Sequence, residues 1–311
     1  MFVLKVLILM ALPLAALLVN PQKTNAPTKA PSQVSAESET ALLESGTPKT
    51  LRSVDVTNNQ VKIVSYNIRY RSGENLKTLI KLFREDPEIG NAVIMGLQEV
   101  DRKKKRSGNT NTAKLLSDEL QMNYAWAAPP RAKPTDEEET GVTILSPFPM
   151  SDIRRLVLPH EGPNGRRRVA LGATVRVNGT DLRIYSMHGE TRISMDKKME
   201  QMNTLLQDLK KYPANMPALI VGDFNTWEAG AERKTIKLFS DFGLKTPFGS
   251  QTTFYRRAFF IPIEFRLDWI WLRGVEVLTY GIDRKISLSD HFPLWTNIKI
   301  PAAKETATKQ P

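Results

Sequence analysis

"ALIVGDFNTW" (218–227) decides how this chain is read. An apolar run, Ala218 to Val221, passes through Gly222 into an acid, an aromatic residue and an amide. Side chains alternate along a strand, so residues i and i+2 share a face. Asp223 and Asn225 are therefore expected to address one spot at the tip of a buried strand. Asp, Asn and Gly are also ordinary turn residues, and an Asx-type turn accounts for the tetrapeptide taken alone. The choice depends on whether other strands end in the same way.

They do. "IVSYN" ends at Asn67, "IMGLQE" at Glu99 and "IYSMH" at His188. "RLDWIW" carries Asp268, and "SLSDH" places Asp290 and His291 just ahead of the last apolar run. Six segments deliver acids, amides and imidazoles to the edges of apolar runs, which points to convergence on one pocket. The chain has three histidines, and two of them stand at such edges. A carboxylate inside the aromatic strand around Asp268 is costly unless paired, and His291 is the natural partner.

Between these edges the pattern is α/β. "ENLKTLIKLFRE" (74–85), "NTAKLLSDELQ" (111–121) and the Met-rich stretch 192–211 have helical spacing. Val169 to Val177 alternate, Asn178-Gly179 turns, and Leu182 and Ile184 resume the alternation as a hairpin. Hairpins mixed with helical crossovers imply two packed sheets with helices outside.

The groups suit phosphate-ester hydrolysis. A hard divalent cation takes oxygen ligands, which Glu99 with Asn67 can supply. A carboxylate such as Asp223 can orient and deprotonate water, and an imidazole held by a carboxylate can stabilise phosphoryl oxygens. The chain has no cysteine, which excludes thiol catalysis, disulfides and Cys-ligated zinc.

The ordered set "SYNIR" (65–69), "GLQEVD" (96–101), "GVTILS" (141–146), "SMHGE" (186–190), "GDFN" (222–225), "LDWIW" (267–271) and "SDHFPL" (289–294) resembles the endonuclease/exonuclease/phosphatase superfamily. That deoxyribonuclease-like fold is shared by repair endonucleases, sphingomyelinases and inositol-phosphate phosphatases. The resemblance spans about 59–300. It implies a four-layer α/β/β/α sandwich of two mixed sheets with the site at one end. It implies Glu99 as main metal ligand with Asn67 its helper, Asp290 beside a second metal, and Mg²⁺ as cofactor with Mn²⁺ able to substitute. Asp223 then activates water, Asn225 binds phosphate, and Asp268 orients His291. His188 matches a second histidine of the deoxyribonuclease and sphingomyelinase branches.

Length and charge frame the substrate. The net charge of the 311 residues is +11; residues 1–58 and 301–311 carry +1 each, leaving +9 on 59–300. A basic folded domain favours polyanions. Arg102 to Arg106, Arg166 to Arg168 and Arg256-Arg257 read either as solvated faces or as contacts to a phosphate backbone. "RRAFFIPIEF" (256–265) is either a covered core loop or an exposed patch meeting lipid. Nucleic acid is the favoured substrate, with phospholipid and inositol phosphate as alternatives and non-catalytic polyanion binding as a remote one; no protein partner is expected.

At the start, Val6 to Val19 is an apolar run of 14 residues after one Lys. It has the size of a signal-peptide core, and residues 1–20 are expected to be a signal peptide or an N-terminal membrane anchor, hence export. Residues 21–58 are expected to be a flexible linker, 59–300 the domain and 301–311 a disordered tail.

Overall fold

The computed structural model describes residues 41–302 apart from 132, 134 and 136. The expected leader or anchor, most of the expected linker and most of the expected tail lie outside the described residues. Among the described residues no helix is long and apolar enough to cross a membrane.

Strands are numbered along the chain. One sheet has seven, in the order β1 (Leu43–Gly46), β4 (Asn123–Ala127), β5 (Glu139–Ser146), β3 (Ile94–Arg102), β2 (Gln60–Asn67), β14 (Leu294–Lys299) and β13 (Glu276–Ile282). The other has five: β12 (Asp268–Arg273), β9 (Ala218–Asp223), β8 (Thr180–His188), β7 (Val169–Val177) and β6 (Met150–Val157). Helices α1 (Gly73–Glu85) and α2 (Thr112–Leu120) cover the first sheet, and α3 (Met195–Leu209) and α4 (Ala231–Ser240) the second. A separate hairpin joins β10 (Phe254–Ala258) to β11 (Ile261–Phe265).

Three apolar layers separate these four. Ile63, Ile94 and Ile144 meet Leu171, Val221 and Ile270 between the sheets. Leu79 and Phe83 of α1 and Leu116 of α2 pack on Val64, Leu97 and Trp126. Met202 and Leu205 of α3 and Phe239 of α4 cover Tyr185, Trp269 and Trp271. This is the expected α/β/β/α sandwich. Strands buried on both faces explain why β3 and β9 read as unbroken apolar runs. The sheets are in direct contact at Gly96, where a Cβ would lie 2.3 Å from Val221 Cγ2.

The local starts follow the chemistry of helix ends. Asn111 caps α2 by accepting from Lys114 N at 3.1 Å, and Ser194 caps α3 by accepting from Lys197 N at 3.5 Å. The Asn178-Gly179 turn joins β7 to β8 as expected, with both residues at positive φ.

One boundary is corrected. The expected linker 21–58 includes β1, which pairs with β4 from Leu43↔Ala127 to Gly46↔Tyr124. Glu44 holds that strand by accepting from Arg102 Nη1 (2.7 Å), Asn111 Nδ2 (2.8 Å) and the Tyr124 hydroxyl. The folded body therefore begins well ahead of residue 59.

Candidate active site

Topology alone brings the strand ends together. β2 and β3 are parallel, as are β8 and β9, so each pair releases its C-terminal residues at one end. β12 runs antiparallel to β9 and β14 antiparallel to β2, so their starts arrive at that same end. Register completes the placement: Asp223 lies opposite His188 on one side and opposite Asp268 on the other. Directly opposed residues share a face, so these three side chains stand in one row.

Gly222 permits the row. Its φ is +142°, and a Cβ there would meet Met187 O at 2.0 Å, so no other residue fits between β8 and the turn after β9. Beyond it, Asn225 takes a left-handed φ of 54°, and its backbone N–H donates to Asp223 Oδ1 at 3.0 Å. The Asx turn and the expected convergence are compatible, since Asp223 and Asn225 also line one cleft.

That cleft has a volume of about 630 Å³. Asp223, 2% exposed, is its floor. Its Oδ2 accepts from Asn67 Nδ2 at 3.0 Å and lies 3.6 Å from His188 Nε2 and 3.7 Å from His291 Nε2. Asp268 holds His291 by both carboxylate oxygens, 2.9 and 3.1 Å from Nδ1, and takes a further hydrogen bond from Thr253 Oγ1 at 2.7 Å. With Nδ1–H donating to Asp268, His291 turns its Nε2 toward the cleft.

The surroundings push the two histidines in opposite directions. Burial opposes protonation of His291, but Asp268 and Asp223 outweigh it and raise its pKa well above the usual range. His188 is pushed well below that range by burial, then by Arg168 and His291. Arg168 Nη1 faces His188 Nδ1 at 3.5 Å, which makes Nδ1 the acceptor and leaves the hydrogen on Nε2. Burial, first of all, raises the Asp223 carboxyl. A divalent cation nearby would act in the opposite sense.

Glu99 reaches the cleft through strain. A bulge between Gln98 and Val100 leaves it at φ 55°, which swings its carboxylate out of the strand alternation. Its side-chain partner is Asn67 Nδ2 at 3.2 Å, and among the described residues no cation pairs with it. An acid facing an arginine-rich cleft without a cation suits a divalent metal with oxygen ligands. Asp290 also lines the cleft, with Oδ2 3.3 Å from Arg69 Nη1. Asn67 stands beside Glu99: its amide nitrogen bridges Glu99 and Asp223, and its oxygen accepts from Arg69 N at 3.0 Å. It aligns the two acids. Donor atoms of Asp223, Asp268 and His291 lie within 4.8 Å of one another, but His291 Nδ1 is committed to Asp268, so that cluster is a hydrogen-bonded Asp268–His291 pair facing Asp223.

The basic run after Glu99 needs correction. Arg102 is bound to Glu44 and Glu139 and lies over Trp126, and Arg106 forks onto Asp101, so both serve the fold. Lys103 pairs with Glu137. Lys104 lines the cleft, as do Arg166, Arg192 and Arg256, and none of these four forms an ion pair among the described residues.

Two supporting residues escaped the sequence reading. Glu190 is buried and accepts from Arg168 Nε at 2.9 Å; it stands two residues after His188, a spacing that could have found it. Lys198, 1% exposed, donates from Nζ to Asn225 O at 2.7 Å. It sits on the buried face of α3, in the stripe of Met195 and Met202, and a lysine in a core stripe signals a buried partner.

The fold has counterparts among known proteins. The model of the Endonuclease/Exonuclease/phosphatase family matches residues 64–291. No curated protein matches the chain in sequence. Among solved structures, an endonuclease/exonuclease/phosphatase from Bacteroides vulgatus is 17% identical, covering 78% of this chain and 99% of that one, with a TM-score of 0.61. The human Nocturnin catalytic domain with bound sulfate is 18% identical over 80% and 96%, also at 0.61. D. rerio TDP2 complexed with a single-strand DNA product is 15% identical over 77% and 99%, at 0.59.

Proposed function

The chain belongs to the endonuclease/exonuclease/phosphatase family, and on that premise we propose that it is a divalent-metal-dependent phosphoesterase whose preferred substrate is nucleic acid. Phosphate-ester hydrolysis is the chemistry of the family. One observation carries the assignment to this cleft: two imidazole Nε2 atoms and the Asn67 amide converge on a single oxygen of Asp223.

Each residue has a task that its surroundings permit. Asp223, raised toward neutrality by burial, accepts the proton of an attacking water and orients it. His291 keeps its proton through Asp268 and offers Nε2–H to the charge growing on phosphoryl oxygens. Neutral His188 donates from the other side of Asp223, its tautomer set by Arg168. Asn225 lines the floor, held by its Nδ2 hydrogen bond to Gly189 O at 3.0 Å. When bound, Mg²⁺, or Mn²⁺ in its place, held by Glu99 with Asp290 as a further oxygen donor, would neutralise phosphate charge and polarise the ester. Asn67 keeps Glu99 and Asp223 in register.

The rim favours a polyanion over a single phosphate. Lys104, Arg166, Arg192 and Arg256 surround the floor without carboxylate partners, and such cations are what flanking phosphates neutralise. The DNA-bound relative is in keeping with this reading. The test is one purified protein assayed side by side on plasmid DNA, RNA, sphingomyelin and inositol phosphates, with Mg²⁺ and with chelator. Mg²⁺-dependent cleavage of DNA or RNA is expected. Turnover confined to sphingomyelin or inositol phosphates would transfer the substrate to lipid or small phosphates, and none on any would refute hydrolysis.

A further inference from the structure

Strand β10 gives Phe254 and Arg256 to the cleft wall, but the tip of the β10–β11 hairpin has no part in the chemistry above. One face of the hairpin is packed along its length: Phe254, Ala258, Ile263 and Phe265 form a buried cluster with Leu267, against Trp227. The five pairs from Phe254↔Phe265 to Ala258↔Ile261 make a regular arm, about 15 Å long from its strand rise. The arm ends in Phe259-Phe260, which are 88% and 97% exposed. The most exposed large apolar residue elsewhere among the described residues, Tyr280, reaches 47%.

Two-residue turns of this kind ordinarily use Asn or Gly, because the chain must adopt positive φ. Phe259 stands at φ 52°, a conformation costly for a bulky side chain. Solvent and strain are thus both unfavourable to phenylalanine here, and outliers of this kind mark functional positions.

We propose that this tip is a membrane-docking surface that inserts into an anionic lipid bilayer and turns the cleft toward it. Three further observations select lipid as the occupant. The apolar character continues past the turn into half-buried Ile261 and exposed Pro262. Arg256 and Arg257 stand beside the tip, without ion pairs among the described residues, where anionic headgroups would meet them. Finally, the chain enters the domain at the same end. Leu42 O accepts from Ala128 N at 3.0 Å, immediately before the cleft-lining Pro129 and Pro130, while Phe254 at the base of the hairpin lies edge-on to His291 at 5.0 Å. Residues 20–40 separate that entry point from the apolar run Val6–Val19 and can span at most about 70 Å. A bilayer holding the run is therefore within reach of the hairpin. The proposal does not depend on which phosphoester is cleaved.

The chain has no cysteine, so one introduced cysteine reports one position. In the full chain, Phe260→Cys is labelled with a polarity-sensitive fluorophore and mixed with vesicles of phosphatidylcholine and phosphatidylglycerol. A blue shift is expected at 260 and none at a label on Ser151→Cys, an exposed position near the opposite end of the sheet. Adding Phe259→Ser should lower the inserted fraction about tenfold, the effect of losing roughly half the burial of one Phe side chain. Turnover of a soluble phosphodiester should remain at the wild-type rate. A tip label that stays in water on vesicles overturns the proposal. So does one that responds to single-stranded DNA instead, which would make the tip a stacking wedge.

Discussion

Replacing Lys198 by Met removes one ammonium from beneath the Asp223–Asn225 turn and leaves the volume nearly unchanged. In the native chain Lys198 Nζ donates to Asn225 O and lies 2.7 Å from Glu228 Oε1, over the Trp227 ring at 4.8 Å. Burial lowers the lysine's pKa, and Glu228 partly offsets this. Met orphans the Asn225 carbonyl, at about 1–3 kcal/mol. It also strips the cation from Glu228, whose 19% exposure lets water recover part of the loss. A total near the lower end of the range for a broken buried pair follows, about 3 kcal/mol. In a domain of this size that lowers Tm by about 6–12 °C. The larger effect is positional. Asn225 N–H donates to Asp223, so a loosened carbonyl displaces the acid on which the site converges, and a displacement near 1 Å costs on the order of 100-fold. Steady-state kinetics with thermal melts should give kcat lowered about 10- to 100-fold with KM nearly unchanged, and Lys198→Arg, which keeps the charge, should recover part of both. A Met variant that loses stability but retains full kcat would refute the positioning role. One that loses neither would refute the buried pair.

Glu99→Gln keeps the shape and removes the charge. It should fold normally and raise the Mn²⁺ dissociation constant at least about tenfold by calorimetry; unaltered binding would mean that the metal is held elsewhere. Asp268→Asn and His291→Ala should be non-additive in kcat, the double variant matching the worse single, because the pair acts as one unit; fully additive losses would separate them. Changing Lys104, Arg166 and Arg256 together to Ser should flatten the log-log salt dependence of oligonucleotide binding by about 0.7 for each phosphate that is no longer neutralised. An unchanged slope would remove the rim from substrate binding.

Much of this was readable from the chain, for physical reasons that differ by residue. Asn67, Glu99, His188, Asp223 and Asp268 stood out because polar groups recurred at the edges of several apolar runs, where any one alone reads as a turn or a paired core group. Their convergence needed only parallel β2–β3 and β8–β9 pairs, which helical crossovers impose. The same alternation could not locate β1, whose "LESG" has no apolar period and whose stability comes from Glu44 binding partners far away in sequence. It also could not say that Arg102 is a fold residue while Lys104 faces the cleft, since a charge run carries no record of which members find acids. Strand β6 was hidden by its charged residues; it is the edge of its sheet, half exposed along its length. Lys198 was passed over inside a Met-rich stripe whose periodicity marked the face as buried, and a lysine on that face was the overlooked signal.

The central claim is that Asp223 is the acid at which a metal-dependent phosphodiester hydrolysis is carried out. The most direct measurement is the rate of DNA cleavage by wild type and Asp223→Asn across a Mg²⁺ titration, with circular dichroism confirming that the variant is folded. Asn preserves the size of the side chain and one of its two accepted hydrogen bonds, that from Asn225 N–H, while removing the proton acceptor and the acceptor for Asn67 Nδ2. Wild type should cleave at a Mg²⁺-dependent rate, and the variant should lose at least about a thousandfold at every Mg²⁺ concentration, within the range of positioned acid–base catalysis. A folded Asp223→Asn protein that cleaves at the wild-type rate would contradict the claim.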